Sequence, residues 1–591
     1  MTPTTPTRLL AALALAFCLD AQAADYPKDA PRSAYVNLFE WKWRDVANEC
    51  RYFLGPKGYA AVQVSPPQES ISGPAWWTRY QPLSYRIAGR SGSEYEFKAM
   101  VDTCKAAGVA VYVDVVINHM AGSTSRDYPG VPYQPSDFHT PCDIRDEDYR
   151  QDRWRVMNCS LPGLPDLATG RDTVRGKIAD YLKKLLSLGA AGFRIDAAKH
   201  IHEDDIAAIL QRVPGNYFVT QEVISDGVTP VAAYFKNGTV NEFKYIYLMK
   251  NAFDRQAGQN LAGLKQVLDP TTNPWGLMPS LNATVFVNNH DTERKKPDGV
   301  SYDSMNVYFG PMHRLAHTLM LAWPYGYPQV MSGYYFQHDH DMGPPASALY
   351  DGPKDSTPAC TPDADPTKAS GWDCVHRSRF VAGMVGFRNY TLPAWQVDNW
   401  VNDGGDRIAF SRGRLGFVAI NRHDSASWNS TFQTGLAAGQ YCDVISGERR
   451  QDGSCSGKTV TVDARGHASV TIAPMDALAI HIGEKRGGDH SNSVAVTFSL
   501  RAQTVPGENL ALVGDRPELG DWQSAAAVPC TTTSASYPLW TCSPVRLAPN
   551  QTVEFKFIKR QGSQVIWENG ANRSYGVPGS GPVSRDEGQW R

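Results

Sequence analysis

Eight short apolar segments, rich in β-branched residues and separated by longer helix-like stretches, constrain this chain more than anything else in it. They are YVNLFEW (Tyr35 to Trp41), AAVQVSPP, VAVYVDVVINH, AGFRIDAA, YFVTQEVI, FKYIYLM, ATVFVNNHD and YPQVMSGYYF. Between the fourth of these and the preceding Cys-rich stretch, Val174, Ile178, Tyr181, Leu182 and Leu185 recur at intervals of three and four, behind Asp172 as the expected N-cap and ahead of Gly189. That spacing predicts a helix. Strands alternating with helices build a parallel sheet, and eight repeats predict an α/β fold closed into a (β/α)8 TIM barrel.

The alternation lapses between His119 and about Thr169, where a Pro-, Asp- and Cys-rich stretch runs too long for a simple loop. The chain therefore divides into a barrel (24–118 and 170–388) interrupted by a small inserted domain (119–169). Beyond it, β-type alternation in RIAFSRGRLGFVAINR and KTVTVDARGHASVTIA predicts an all-β domain over 389–483. The polar run EKRGGDHSNS (484–493) reads as a linker, and 494–591 as a C-terminal β-sandwich. With 591 residues, several independent cores are expected.

Arg8, the apolar run Leu9 to Leu19 and the small-residue pattern Ala21-Gln22-Ala23 read as an export signal over 1–23. The run is too short for a membrane span, and Phe17 disfavours Cys18 as a lipoprotein cysteine. Removal of the signal takes Cys18 with it, so eleven cysteines become ten, an even number suited to an oxidising compartment. Spacing suggests pairing between neighbours: Cys50–Cys104, Cys142–Cys159, Cys360–Cys374, Cys442–Cys455 and Cys530–Cys542, with connectivity left open. No CxxC spacing points to zinc. The formal charge is −2 and no Lys/Arg block occurs, which argues against nucleic acid as a partner; no membrane partner is expected either. A neutral partner fits better, and the aromatic content of 11% supplies faces for sugar rings.

Catalytic groups of such barrels sit where strands end at the C-terminal face. Asp196 (GFRIDAAKH), Glu222 (VTQEVI) and Asp291 (FVNNHD) each close an apolar segment, where an acid costs burial energy unless it is used or paired. One such acid alone reads as a salt-bridged surface group. Three, with Arg194 two residues before Asp196 and with His119 and His290 at other strand ends, read as a site.

With DVVINH (114–119), GFRIDAAKH (192–200), the strand ending at Glu222 and FVNNHD (286–291) in order, the region from about Tyr35 to Ile482 resembles glycoside hydrolase family 13, the α-amylase family, in its animal and actinobacterial branches. The resemblance implies retaining endo-hydrolysis of α-1,4-glucans, with Asp196 as nucleophile, Glu222 as general acid/base and Asp291 as transition-state stabiliser. It places His119, His290, Trp76, Trp77, Tyr80, Gln81, Arg194, Lys199 and His200 in the substrate groove. Against this, Trp76 and Trp77 also read as a packing pair, and Lys199 and His200 as solvated helix-start residues. On electrostatic grounds, Arg194 is expected to keep Asp196 ionised, while Glu222 needs a raised pKa.

The resemblance also implies calcium, held by the side chains of Asn118 and Asp166 and the main-chain oxygens of Met157 and His200. The chain from PELGDW through PLW, VEFKFI and VIWENGANRSY resembles a family 20 starch-binding module. That implies Trp522 and Trp567 as a sugar platform, with Lys556, Glu568 and Asn572 bonding hydroxyls. Trp540 reads as core, and Pro506 stands where a second sugar site would want an aromatic. Many relatives bind chloride through two arginines and an asparagine; here Arg194 and Asn289 match, but Gln329 replaces the second arginine. A cyclodextrin-forming transglycosylase of the same family and a non-catalytic starch-binding protein are the rival readings; intact acids speak against the second. The whole implies a secreted, monomeric enzyme whose partner is starch.

Overall fold

The computed structural model describes residues 26, 31–122, 133–269, 271–294, 302–347, 349–350, 358–450, 452–486, 494–505, 508–524, 527–533, 536–561, 564–579 and 583–591. The export signal, most of the linker and Pro506 lie outside them.

Strands β1 (Tyr35–Leu38), β2 (Ala61–Val64), β3 (Ala110–Val115), β4 (Gly192–Ile195), β5 (Phe218–Gln221), β6 (Thr239–Asn241), β7 (Ala283–Val285) and β8 (Tyr327–Ser332) form a closed barrel. All neighbours are parallel, and β1 closes the ring by pairing Tyr35 with both Ala61 and Gln329. Every residue of β1, β2 and β4 is buried, so these segments are mostly apolar without a solvent-facing alternation, and their polar members Asn37, Gln63 and Arg194 are buried as well. Tyr35, Tyr112, Phe218 and Tyr327 fill the N-terminal end of the barrel, with ring centroids 4.5 to 6.2 Å apart. That plug leaves the opposite end for polar groups.

One expected strand is wrong. FKYIYLM belongs to a helix, Phe243–Phe253, and the sixth strand is the short TVN just before it. A seven-residue apolar run fits either element by periodicity. Here the Glu242 carboxylate accepts from the Lys244 amide and caps the turn, and Phe243, Ile246, Met249 and Phe253 line a buried helical face. The helix Asp172–Ser187 starts one residue earlier than the cap assignment: Arg171 is the N-cap and Asp172 lies inside the first turn, where its charge suits the helix dipole. Gly189, at φ 99°, takes the chain out of it.

The inserted segment carries two short helices, Asp148–Gln151 and Arg153–Asn158, tied by Cys142–Cys159. A bridge from His119 to Asp166 joins it to the barrel. After the barrel, Asp398–Asn402, Arg407–Arg412, Gly416–Asn421 and Asp476–His481 form an antiparallel sheet with two further hairpin-like pairs around its own core. The last ninety-odd residues form a sandwich-like set of nine strands with a separate core that includes Trp540. Four of the five proposed disulfides are present. Cys360 and Cys374 are instead free thiols: Cys374 is buried at φ 55° and meets Cys360 by side-chain contact without a covalent link. Among the described residues no helix is long and apolar enough to cross a membrane.

Candidate active site

The strands β3, β4, β5 and β7 end on one rim, and the residues just beyond them build the site. Asp196 is placed by its amide, which donates to the Val115 carbonyl (3.0 Å), and Glu222 by its own, which donates to Ile195 (3.0 Å). Arg194, buried on β4, spans three carboxylates: Nη1 donates to Asp114 Oδ1 (2.8 Å) and Asp196 Oδ1 (2.6 Å), and Nη2 pairs with Glu222 Oε1 (2.8 Å). The other Glu222 oxygen accepts from the Ala197 amide at 2.9 Å, a donor freed by the left-handed turn at Ala197, φ 48°. One cation therefore serves several anions.

The charge balance follows. Burial pushes the Asp114 carboxyl up to about 7 against the pull of Arg194. Burial likewise raises Glu222; Arg194 opposes it, and the charges of Asp196 and Asp291 add to it. Asp196 is raised too, because desolvation outweighs the pull of Arg194, which favours its ionised form, and the charge of Asp291 adds to the rise; the carboxylates titrate as a set. Asp291 is open to solvent over 46% of its side chain, yet it lies deep on the cleft floor, and burial still raises it. Accessibility and depth differ because a cleft floor is open and deep at once; the direction follows depth.

The acids open into a cavity of about 410 Å³ that Trp76, Trp77, Tyr80, Gln81, His119, Lys199, His200 and His290 also line. Every substrate residue expected from sequence is thus brought together, with Arg194 under the floor. Trp76 is nearly buried, its Nε1 donating to the His340 carbonyl (2.8 Å), while Trp77 is half-open and donates to Asp341 Oδ1 (3.0 Å). The pair divides: Trp76 packs, and Trp77 stays half-open at the cavity wall. His290 is stacked between Phe39 and Tyr80, at 4.8 and 5.0 Å. Burial drives His119 and His200 down to about 4 and His290 lower than its usual range, so all three rings are neutral. The Nδ1 of His290 is buried with no hydrogen-bond partner among the described residues. Leu161, Leu164 and Ile224 also line the cavity; sequence reasoning missed them, though Ile224 stands two residues past Glu222.

Beside the cleft, Asn118 Nδ2 donates to Asp166 Oδ1 (3.2 Å), and His139 Nδ1 contacts Asp166 Oδ2 (2.6 Å). Burial lifts Asp166 to about 6, opposed by His139. A buried carboxylate short of positive charge, with an amide beside it, suits a hard cation. His200 reaches the same segment, its Nδ1 contacting the Val156 carbonyl (2.8 Å) next to Met157. Among the described residues no group of three His, Cys, Asp or Glu side chains could hold a metal, so any such site leans on an amide and main-chain oxygens.

In the last domain, Trp567 is 39% exposed and Trp522 half-buried at φ 61°. Lys556 Nζ donates to the carbonyls of Glu568 (3.0 Å) and Gly570 (2.6 Å), and Asn572 Nδ2 to Glu554 (3.0 Å). Glu568 does not join them. It is buried, accepting from the Phe557 amide and bidentately from Arg573, all at 3.0 to 3.1 Å. Buried carboxylates require such partners, and this one has none to spare for a sugar. Trp540 is core, as its sequence reading had it, with Nε1 donating to Ala502 (3.1 Å).

With this geometry in hand, comparison with known proteins is informative. Residues 76–333 match the family model described as alpha amylase, catalytic domain; 398–483 match alpha amylase, C-terminal all-beta domain; and 493–587 match starch binding domain. An alpha-amylase of Streptomyces violaceus is 41% identical over 97% of both chains. Mouse pancreatic alpha-amylase 2a5 is 40% identical over 80% of this chain and 98% of its own. A crystal structure of a variant of alpha-amylase I from Eisenia fetida with maltohexaose superposes with a TM-score of 0.67 at 34% identity, covering 78% of this chain and 99% of that one.

Proposed function

Because the chain belongs to the α-amylase family of glycoside hydrolases, we propose that it is a secreted α-amylase that cuts α-1,4 bonds within starch and keeps the anomeric configuration. The observation that carries this is the placing of Asp196 and Glu222 on the two terminal nitrogens of one buried guanidinium. That arrangement favours the short carboxyl separation of about 5–5.5 Å found in retaining enzymes over the ~6.5–9.5 Å of inverting ones. Asp196 attacks the anomeric carbon; Glu222 protonates the departing oxygen and then takes a proton from water. Asp291 holds hydroxyls as the ring flattens, and the neutral His119 and His290 bond them without adding charge. Trp77 and Tyr80 stack on rings.

The remaining assignments belong to the same reading. Calcium would be held by Asn118, Asp166 and the carbonyls of Met157 and His200, where it would offset the charge of the buried Asp166 carboxylate and tie the inserted segment to the barrel. Trp522 and Trp567 grip granular starch, helped by Lys556 and Asn572. The enzyme works as a monomer, since one chain completes the site, and four disulfides suit export. The domain limits are those proposed from sequence. The test is Asp196→Asn, Glu222→Gln and Asp291→Asn, each expected to cut kcat on soluble starch by about 10³-fold or more with the circular-dichroism spectrum unchanged. Chromatography of wild-type products should show linear maltooligosaccharides. Near-normal turnover in a variant, or cyclic products, would count against the assignment.

A further inference from the structure

Lys199 is a cleft residue with an unusual degree of restraint. Its side chain is 11% exposed, and its ammonium lies 3.6 Å from Asp226 Oδ2 and 4.4 Å from the centre of the Tyr149 ring. Three separate segments meet at that nitrogen: the turn after β4 brings Lys199, the loop after β5 brings Asp226, and the inserted segment brings Tyr149. The loop and the insert are themselves locked together. The Gly227 amide donates to the Tyr149 carbonyl at 2.9 Å, and a Cβ at Gly227 would stand 3.0 Å from the Arg150 Cα. Asp226 is held rigid by its own turn, with Oδ1 accepting from the amides of Val228 (2.9 Å) and Thr229 (2.6 Å), and Oδ2 from the Thr229 hydroxyl (2.9 Å).

We propose that Asp226 is a positioning residue that pins the Lys199 ammonium in the half of the cleft that holds the departing glucan chain, and so helps set which bond of a bound chain is cut. The inference rests on the glucan-cleaving reading above. Lys199 lies on the acid/base side, because its amide donates to the Glu222 carbonyl (3.1 Å) and it shares the cavity wall with Glu222 and Ile224. The acid/base group stands beside the departing oxygen, so its neighbours face the departing sugar. A lysine stem loses much rotamer freedom when it is fixed; Asp226 and Tyr149 impose that loss before substrate arrives, which strengthens binding by preorganisation. At 3.6 Å the carboxylate holds the ammonium mainly by charge, which leaves N–H donors to turn towards sugar hydroxyls.

The experiment measures cleavage frequencies of maltopentaose labelled at its reducing end, with kcat and KM for the same substrate. Asp226→Asn keeps the turn's acceptor and removes the charge. It should raise KM by roughly three- to tenfold, the effect of weakening one charge-assisted contact, with kcat on soluble starch within about twofold. The labelled fragment should become shorter, since chains now bind with fewer glucose units on the departing side. Lys199→Met should shift the pattern the same way, and the double variant should add nothing to it, because both changes act through one contact. Thr229→Val, which removes the hydroxyl contact to Asp226 Oδ2 but leaves the charge, should shift the pattern clearly less than Asp226→Asn does. If Asp226→Asn does not fold, Tyr149→Leu reads the same contact from the other side. A shift with Lys199→Met but none with Asp226→Asn or Tyr149→Leu overturns the proposal and leaves the cleft reading standing. Additive shifts in the double variant, or an equal shift with Thr229→Val, overturn it as well. No shift with Lys199→Met overturns both the proposal and the place given to Lys199 in the cleft.

Discussion

Removing Arg194 should move the whole pH profile of this enzyme upward. The guanidinium touches Asp114, Asp196 and Glu222 at 2.6 to 2.8 Å. Its charge centre then lies about 4 Å from each carboxylate, and at an effective dielectric of about 20 each contact is worth about 4 kcal/mol. If relaxation and entering water cancel two thirds of that, about 1.4 kcal/mol per carboxylate remains, which is about one pKa unit. The sign is fixed by chemistry. In the roles proposed above, Asp196 must be ionised to attack, so losing its cation raises the acid limb of kcat/KM; Glu222 must hold a proton, so the basic limb rises as well. Because the carboxylates titrate together, both limbs report the set rather than single residues. Arg194→Met leaves buried acids unpaired at a cost of about 3–5 kcal/mol in stability, so Arg194→Lys, which keeps the charge but loses the fork, belongs beside it. The assay is kcat/KM from pH 4 to 10 on a chromogenic maltooligosaccharide, on protein shown to be folded. A folded Arg194→Met variant whose acid limb stays within about 0.3 unit of wild type would refute the reasoning.

Three further outcomes are expected. Trp522→Ala with Trp567→Ala should reduce adsorption to granular starch about tenfold or more, while turnover of soluble starch stays within about twofold; equal loss on both substrates would show that the domain serves folding of the catalytic unit instead. Chloride added after exhaustive dialysis should change kcat by less than about twofold, because Gln329 Nε2 is engaged with Gln63 (2.6 Å) and Arg194 with carboxylates, leaving no positive charge to offset desolvation of an anion. A saturable rise that is absent with a non-binding anion at equal ionic strength would contradict this. Chelation of calcium should lower Tm by roughly 5–10 °C, and Asp166→Asn should abolish that response; a Tm indifferent to chelator would remove calcium from the account.

The barrel, and the standing of three acids at its strand ends, were legible along the chain. Both are written locally: a doubly buried strand is mostly apolar, so an acid just past its end stands out, and Asp196, Glu222 and Asp291 did. The sequence by itself did not decide FKYIYLM, because seven apolar residues suit a strand or a helix until a cap such as Glu242 commits them. It placed Glu568 among the groups that bond sugar hydroxyls, since only the arrival of Arg573 and the Phe557 amide shows that carboxylate to be buried and spent. It paired Cys360 with Cys374 by proximity along the chain; their side chains do meet, but both remain free thiols. Nor could it balance the charges. Asp114 lies 80 residues from Arg194, and burial, which outweighs that arginine at Asp196, exists only once the strands have closed. Strings of neighbours specify elements and mark costly residues, but which anions share a cation, and how much water they keep, is a property of segments that meet only in three dimensions.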